Sequence, residues 1–253
     1  ELKNAITSGE WVVRNILSVN IPRRELFLHT MGRTPGRDPY YRDIVRVNID
    51  TGELTSVASS DDDYYAVSDH RFDMETLTFS MMHDIADARA TSYQGDYVVA
   101  TRSRVDTVPV TILLDLNGKE VLEIEQGDMT ALHARVSKQW QWPEPVELLA
   151  ADNETAIYGV VWRPSDFSPD QSYPVISYGF NTPELPRVPK GSFSNSSSCG
   201  PYYLGGAALA ELGFVVVQID GTGTPFRGKS FQDTSYGWAE SAGCIDDHVA
   251  GIK

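Results

Sequence analysis

Acyl transfer by a serine hydrolase needs a serine on a sharp strand-to-helix turn, a histidine within hydrogen-bond reach and an acid to orient that histidine; the turn is normally written G-x-S-x-G. The nearest approximation here is Ala239-Glu240-Ser241-Ala242-Gly243, which lacks the first glycine and follows no buried strand, so Ser241 is not expected to be a nucleophile. Gly221-Thr222-Gly223 opens as a dinucleotide fingerprint would, but the third glycine comes only at Gly228 and Pro225 interrupts the helix start, which excludes nucleotide binding by that loop. Asp61-Asp62-Asp63 places three hard carboxylates together, yet the glycine and closing glutamate of a calcium loop do not follow, so the run is expected to be a solvated turn. His29, His70, His83, His133 and His248 are scattered without paired metal spacing, and Cys199 and Cys244 are expected to be unpaired thiols. No metal and no cofactor are predicted.

The elements that must position any chemistry fall into two styles. As far as about Pro145, short β-branched and aromatic runs alternate with turns. Asp43 to Ile49, the turn Asp50-Thr51-Gly52, then Leu54 to Val57 is a hairpin pattern, and Val110 to Leu116, Asn117-Gly118, then Val121 to Ile124 repeats it. Trp11 to Val19, Glu25 to Thr30, Leu77 to Met82 and Tyr97 to Thr101 are further predicted strands. Repeated hairpins suit a β-propeller or a sandwich, and periodicity does not choose between them.

From Val146 the pattern becomes strands alternating with helices, which predicts a mostly parallel sheet covered by helices, with the boundary near Trp142-Pro143-Glu144-Pro145. Ile157 to Trp162, Pro174 to Tyr178 and Phe214 to Ile219 are the predicted strands, the last buried on both faces. Gly205 to Leu212, with Gly213 just past its end, is a predicted helix, and a second begins near Ala239. Asp247 then falls on that second helix as a capping or ion-pairing residue.

The chain has 253 residues and a formal charge of -14, which repels phosphate backbones and anionic lipid, so neither nucleic acid nor membrane is an expected partner. No apolar run approaches the roughly 20 residues a spanning helix needs. The compartment is left open. The glycosylation-type triplets at Asn153 and Asn195 carry no weight in the argument.

Several stretches together resemble the prolyl oligopeptidase family of serine peptidases, in its dipeptidyl-peptidase-IV-like branch. Ala151-Asp152-Asn153, Ile157-Tyr158-Gly159, Arg163-Pro164 and Tyr173 to Gly179 resemble the opening strands of that family's hydrolase domain. Phe214 to Asp220 followed by Gly221 to Lys229 is similar to its fourth strand and the loop after it, and Gly243 to Lys253 to the helix leading toward the nucleophile strand. Thr7 to Trp11 and Asp50 to Glu53 resemble blade motifs.

The resemblance implies partial β-propeller blades over 1–145 and the N-terminal part of an α/β-hydrolase domain over 146–253, truncated before the nucleophile elbow. It implies a peptidase acting on short peptides, of dipeptidyl or oligopeptidase type, as the full-length protein. The nucleophile, acid and base are then absent from this chain, which alone should be inactive. Tyr178 becomes the candidate oxyanion donor. The alternatives are a non-catalytic propeller and hydrolase-fold interaction protein, or an acylaminoacyl peptidase or esterase on the same scaffold; homo-oligomerisation of the full-length form stays open. Two departures stand out: Phe180-Asn181 before Pro183, and Thr222 where an arginine is common, a change expected to remove a loop anchor.

Overall fold

The computed structural model describes residues 3–66, 96–135, 141–178, 186–193, 202–237 and 245–253. The expected strand Leu77–Met82, together with Gly179 to Pro183, Asn195, Cys199, Ser241, Cys244, His70 and His83, lies outside the described residues.

The described residues form two units. The first comprises 1–103, 109–126 and 226–228; the second comprises 104–108, 127–225 and 229–253. Unit 1 contains two four-stranded antiparallel sheets in which spatial order follows chain order: β1 (Val12–Asn20), β2 (Glu25–Met31), β3 (Arg42–Asn48) and β4 (Leu54–Ala58), then β5 (Asp63–Ala66), β6 (Tyr97–Ser103), β7 (Val110–Asp115) and β8 (Glu120–Gln126). Each is a meander.

The expected hairpins are β3–β4 and β7–β8, and their turns are closed by the glycines that the motifs supply. Gly52 and Gly118 both take positive φ, 72° and 82°, which a side chain would strain. Asn48 and Asp115 reach forward to bond the turn backbone. Phe27, Ile44, Val98 and Ile112 meet in one apolar cluster drawn from both sheets, while Leu28, Val45 and Val47 fill a second cluster with Ile6, Leu26 and Leu54. Alternation along β2 and β3 sends successive side chains to these two clusters.

β5 departs from expectation. Asp63, in the run predicted to be a solvated turn, is buried and begins a strand. Its carboxylate accepts from the backbone N–H of Arg42 at 2.7 Å and from the Arg42 guanidinium at 2.8 Å. A carboxylate leaves water at acceptable cost only when paired in this way.

Unit 2 holds one four-stranded sheet of order β11-β12-β10-β9, made from β9 (Glu144–Leu149), β10 (Ala156–Trp162), β11 (Val175–Ser177) and β12 (Val215–Asp220). The helices are α1 (Thr130–His133), α2 (Tyr202–Ala210), α3 (Lys229–Gln232), followed by a 3₁₀ turn at Asp233–Ser235, and α4 (Ile245–Ile252).

The sheet is not mostly parallel: only β11 and β12 pair in parallel, while β10 is antiparallel to both β9 and β12. The physical reason is connection length. Six residues join β9 to β10, too few for a crossover and enough for a hairpin, whereas β10 reaches β11 without pairing to it.

β12 is buried on both faces, as its apolar run requires. Val216 packs with Val160, Trp162, Tyr203 and Ala210 toward α2, while Val217 and Ile219 pack with Ile157 and Ala150 on the opposite face. α2 begins at Tyr202, earlier than expected, and ends ahead of Gly213, whose φ of 95° and N–H bond to Ala210 stop the helix.

Gly159 sits where the sheet is tightest, because a Cβ there would lie 2.7 Å from the Gln218 carbonyl oxygen and 3.3 Å from Val146. The neighbouring backbone cannot yield. Gly159→Ala is therefore expected to cost about 1–3 kcal/mol, read as a lowered midpoint in urea unfolding.

Candidate functional site

Tyr178 follows the last residue of β11, and its N–H donates to the Val217 carbonyl at 2.8 Å, which carries the parallel ladder one step beyond the strand. Its ring is half-buried against the cluster of Trp162, Tyr203 and Val216. A side chain at Gly205 of α2 would collide with the Tyr178 hydroxyl, so the glycine is what leaves room for it. Gln218 lies fully buried on β12, and its amide has no hydrogen-bond partner among the described residues.

The glycine-rich loop after β12 is held from both ends. Asp220 is fully buried and accepts from the N–H groups of Arg187 at 2.7 Å and Val188 at 3.1 Å. Two residues on, Thr222 donates to the Asp247 carboxylate through its N–H at 2.8 Å and also through its hydroxyl. The other oxygen of Asp247 accepts from Ala151 N–H at 2.9 Å. Thr222 thus does anchor the loop. Threonine reaches because Asp247, buried in the first turn of α4, comes to it. A positive φ of 85° at Gly223, where a Cβ would lie 2.8 Å from Ser235, completes the turn.

His248 is adjacent to Asp247. Its Nδ1 lies 2.8 Å from Ser177 Oγ, and the ring also bonds the Ile219 backbone. Donation to that carbonyl leaves Nδ1 to accept from the serine. Burial pushes the His248 pKa down, and the Asp247 charge and the Ile219 bond only partly offset it. Ser177 was invisible to sequence reasoning, since no motif links it to a residue 71 positions away.

The remaining candidates are dispersed. His29 is fully buried on β2 of unit 1, where its charge would act on Asp63, and His133 ends α1. Among the described residues no group of three or more His, Cys, Asp or Glu is arranged to hold a metal ion. No helix of the described residues is long and apolar enough to cross a membrane. In unit 2 the Tyr203 hydroxyl donates to the Val105 carbonyl at 2.8 Å, and burial, then the charge of Asp106, pushes this phenol up beyond its ordinary range.

Known proteins now place this arrangement. The family model described as the dipeptidyl peptidase IV N-terminal region matches residues 1–83. Probable dipeptidyl peptidase 4 of Aspergillus fumigatus is 28% identical over 232 residues, which is 90% of this chain and 26% of that protein. The chain is similar to dipeptidyl-peptidase-IV-like proteins along most of its length. Dipeptidyl peptidase 8 of Homo sapiens is 30% identical over 111 residues, 43% of this chain and 12% of that one. The crystal structure of a putative dipeptidyl aminopeptidase IV from Bacteroides ovatus superposes with a TM-score of 0.66 at 22% identity, covering 98% of this chain and 30% of the other. The chain therefore spans between about an eighth and a third of the length of these dipeptidyl-peptidase-IV-like relatives. Its N-terminal region is of the propeller type, and the sheets of unit 1 form no closed ring among the described residues.

Proposed function

We propose that residues 1–145 supply C-terminal propeller blades, and residues 146–253 the first strands of an α/β-hydrolase domain, in a serine peptidase that removes dipeptides or cuts short peptides. In this proposal Tyr178 donates its hydroxyl to the oxyanion of the tetrahedral intermediate. The nucleophile, acid and base come from sequence outside Glu1–Lys253.

The observation that carries the proposal is the end of β11. Tyr178 sits there on a backbone bond to β12, its hydroxyl set over Gly205. A phenolic donor fixed before the reaction stabilises developing charge without reorganisation, an effect of about 3 kcal/mol per donor. The sheet order and the anchored loop after β12 support the same domain assignment. Thr222, one of the two departures from the family pattern, is held by Asp247, which supports an intact loop at that position.

The test uses the full-length protein. A fluorophosphonate probe is expected to label one serine outside residues 1–253, and Tyr178→Phe is expected to lower kcat on a dipeptidyl chromogenic substrate by about 10²–10³-fold with KM little changed. Folded protein that takes no label refutes the peptidase assignment. An unchanged kcat in Tyr178→Phe removes Tyr178 from the site.

A further inference from the structure

β11 is three residues long and, among the described residues, is paired along one edge only, to β12. Its last residue, Ser177, and the residue after it, Tyr178, are held by different means. Tyr178 has the backbone bond to Val217, and Ser177 has the bond to His248.

α4 is the stiffer partner. Asp247 ties the helix to Ala151 and to both donors of Thr222, and Gly251 allows close approach, since a Cβ there would lie 2.9 Å from Leu148 and 3.0 Å from Ile219. The imidazole of His248 thus extends from a helix already fixed at two points, and it spans from the Ile219 carbonyl to Ser177.

We propose that His248 is a positioning residue for Tyr178: through Ser177 it fixes the end of β11 that carries the tyrosine, and it does so in its neutral form. The inference rests on the assignment of Tyr178 as oxyanion donor.

The surroundings of the ring explain the preference for the neutral form. On the sheet face that α4 covers, β11 and β12 present Val175, Ser177, Val215, Val217 and Ile219, none of them ionisable. β9 and β10 present Leu148, Ile157 and Val161 there, with Glu144 at the far end paired to Arg163. α4 itself contributes Asp246, Asp247 and Lys253 lies just beyond it; of these Asp247 is the carboxylate that acts on the ring, and its oxygens are already engaged by three donors. A proton on Nδ1 would reverse the Ser177 bond, leave the serine hydroxyl to find another acceptor, and set a charge against Val217 and Ile219. Burial holds the His248 pKa below the ordinary value.

The test is a double-mutant cycle on the full-length protein with a dipeptidyl chromogenic substrate, joined to amide hydrogen exchange at Tyr178. Ser177→Ala and His248→Leu are each expected to lower kcat by about 10- to 100-fold with KM nearly unchanged, and to add nothing further in a Tyr178→Phe background. His248→Asn, whose Oδ1 can accept where Nδ1 does, is expected to recover most of the loss. Tyr178 amide exchange is expected to speed up about tenfold or more in His248→Leu, and in the wild type once the pH falls well below the ordinary imidazole value of about 6.5, but not in His248→Asn.

Losses that simply add to that of Tyr178→Phe, or an exchange rate unmoved by His248→Leu, overturn the proposal while leaving the oxyanion assignment intact. A Tyr178→Phe variant with unchanged kcat removes the assignment first, and the positioning role with it.

Discussion

Asp63→Ala is expected to lower the stability of the protein by about 3–5 kcal/mol, whereas Arg42→Met combined with Asp63→Leu is expected to be close to neutral. The side chains of both partners are almost wholly excluded from water, at 8% and 3% exposure. Removing the carboxylate strands a guanidinium and the Arg42 N–H without an acceptor, whereas replacing both charges by apolar groups removes the demand for pairing altogether. The single variant should show a fall of roughly 10 °C in the unit 1 unfolding temperature. Equal losses in the single and double variants would show that shape, not charge, decides the site.

The same pair predicts an acid transition. Burial pulls the Asp63 carboxyl upward, but the Arg42 charge, its side-chain and backbone hydrogen bonds and the nearby His29 together outweigh it, leaving the group below the ordinary carboxylate range. A group depressed in the folded state binds fewer protons folded than unfolded. Its stabilisation is present above the unfolded value of about 3.9 and is lost as pH falls below that through the folded value. Asp43 behaves oppositely: burial raises it and Asp63 adds to the rise, against the Arg37 and Arg33 charges. The acid dependence attributable to Asp63 should vanish in the double variant.

Asp247→Ala is expected to cost about 3–5 kcal/mol, because three donors from two loops, Ala151 N–H, Thr222 N–H and the Thr222 hydroxyl, lose their acceptor at a buried site, at about 1–3 kcal/mol each with partial recovery by water. Asp247→Asn keeps one carbonyl oxygen and should lose less than half of that. Thr222→Val, nearly the same shape, removes only the hydroxyl and should cost about 1 kcal/mol. Urea unfolding ranks the three variants. Amide exchange at Thr222 and Ala151 then separates local release of the loops from global loss, and a ranking with Thr222→Val worst would contradict the account of the anchor.

Where residues close in sequence decide a structure, the expected and observed elements coincide. The β3–β4 and β7–β8 hairpins were legible because alternation, Asn48 or Asp115 and a glycine at positive φ all act within a few residues. β12 was legible because the nearly continuous apolar run from Phe214 to Ile219 needs cover on both faces. Asp63 misled, since three consecutive aspartates are ordinarily solvated, and the arginine that makes burial tolerable stands 21 residues earlier. Thr222 misled for the same reason: its acceptor is 25 residues away, and a residue's capacity to anchor depends on how far its partner comes forward.

By itself, then, the sequence determined the two hairpins and their turns, the strand β12, the glycine-rich loop and the resemblance to dipeptidyl-peptidase-IV-like proteins, because these rest on backbone propensity and on short patterns of burial. Only the tertiary structure decided that β12 inserts between β10 and β11 and that Asp247 gathers the loops around it. It alone brought Ser177 to His248, 71 residues apart. Strand order and buried polar pairing are choices among distant partners, settled by which donors and acceptors can all be satisfied once water has been excluded.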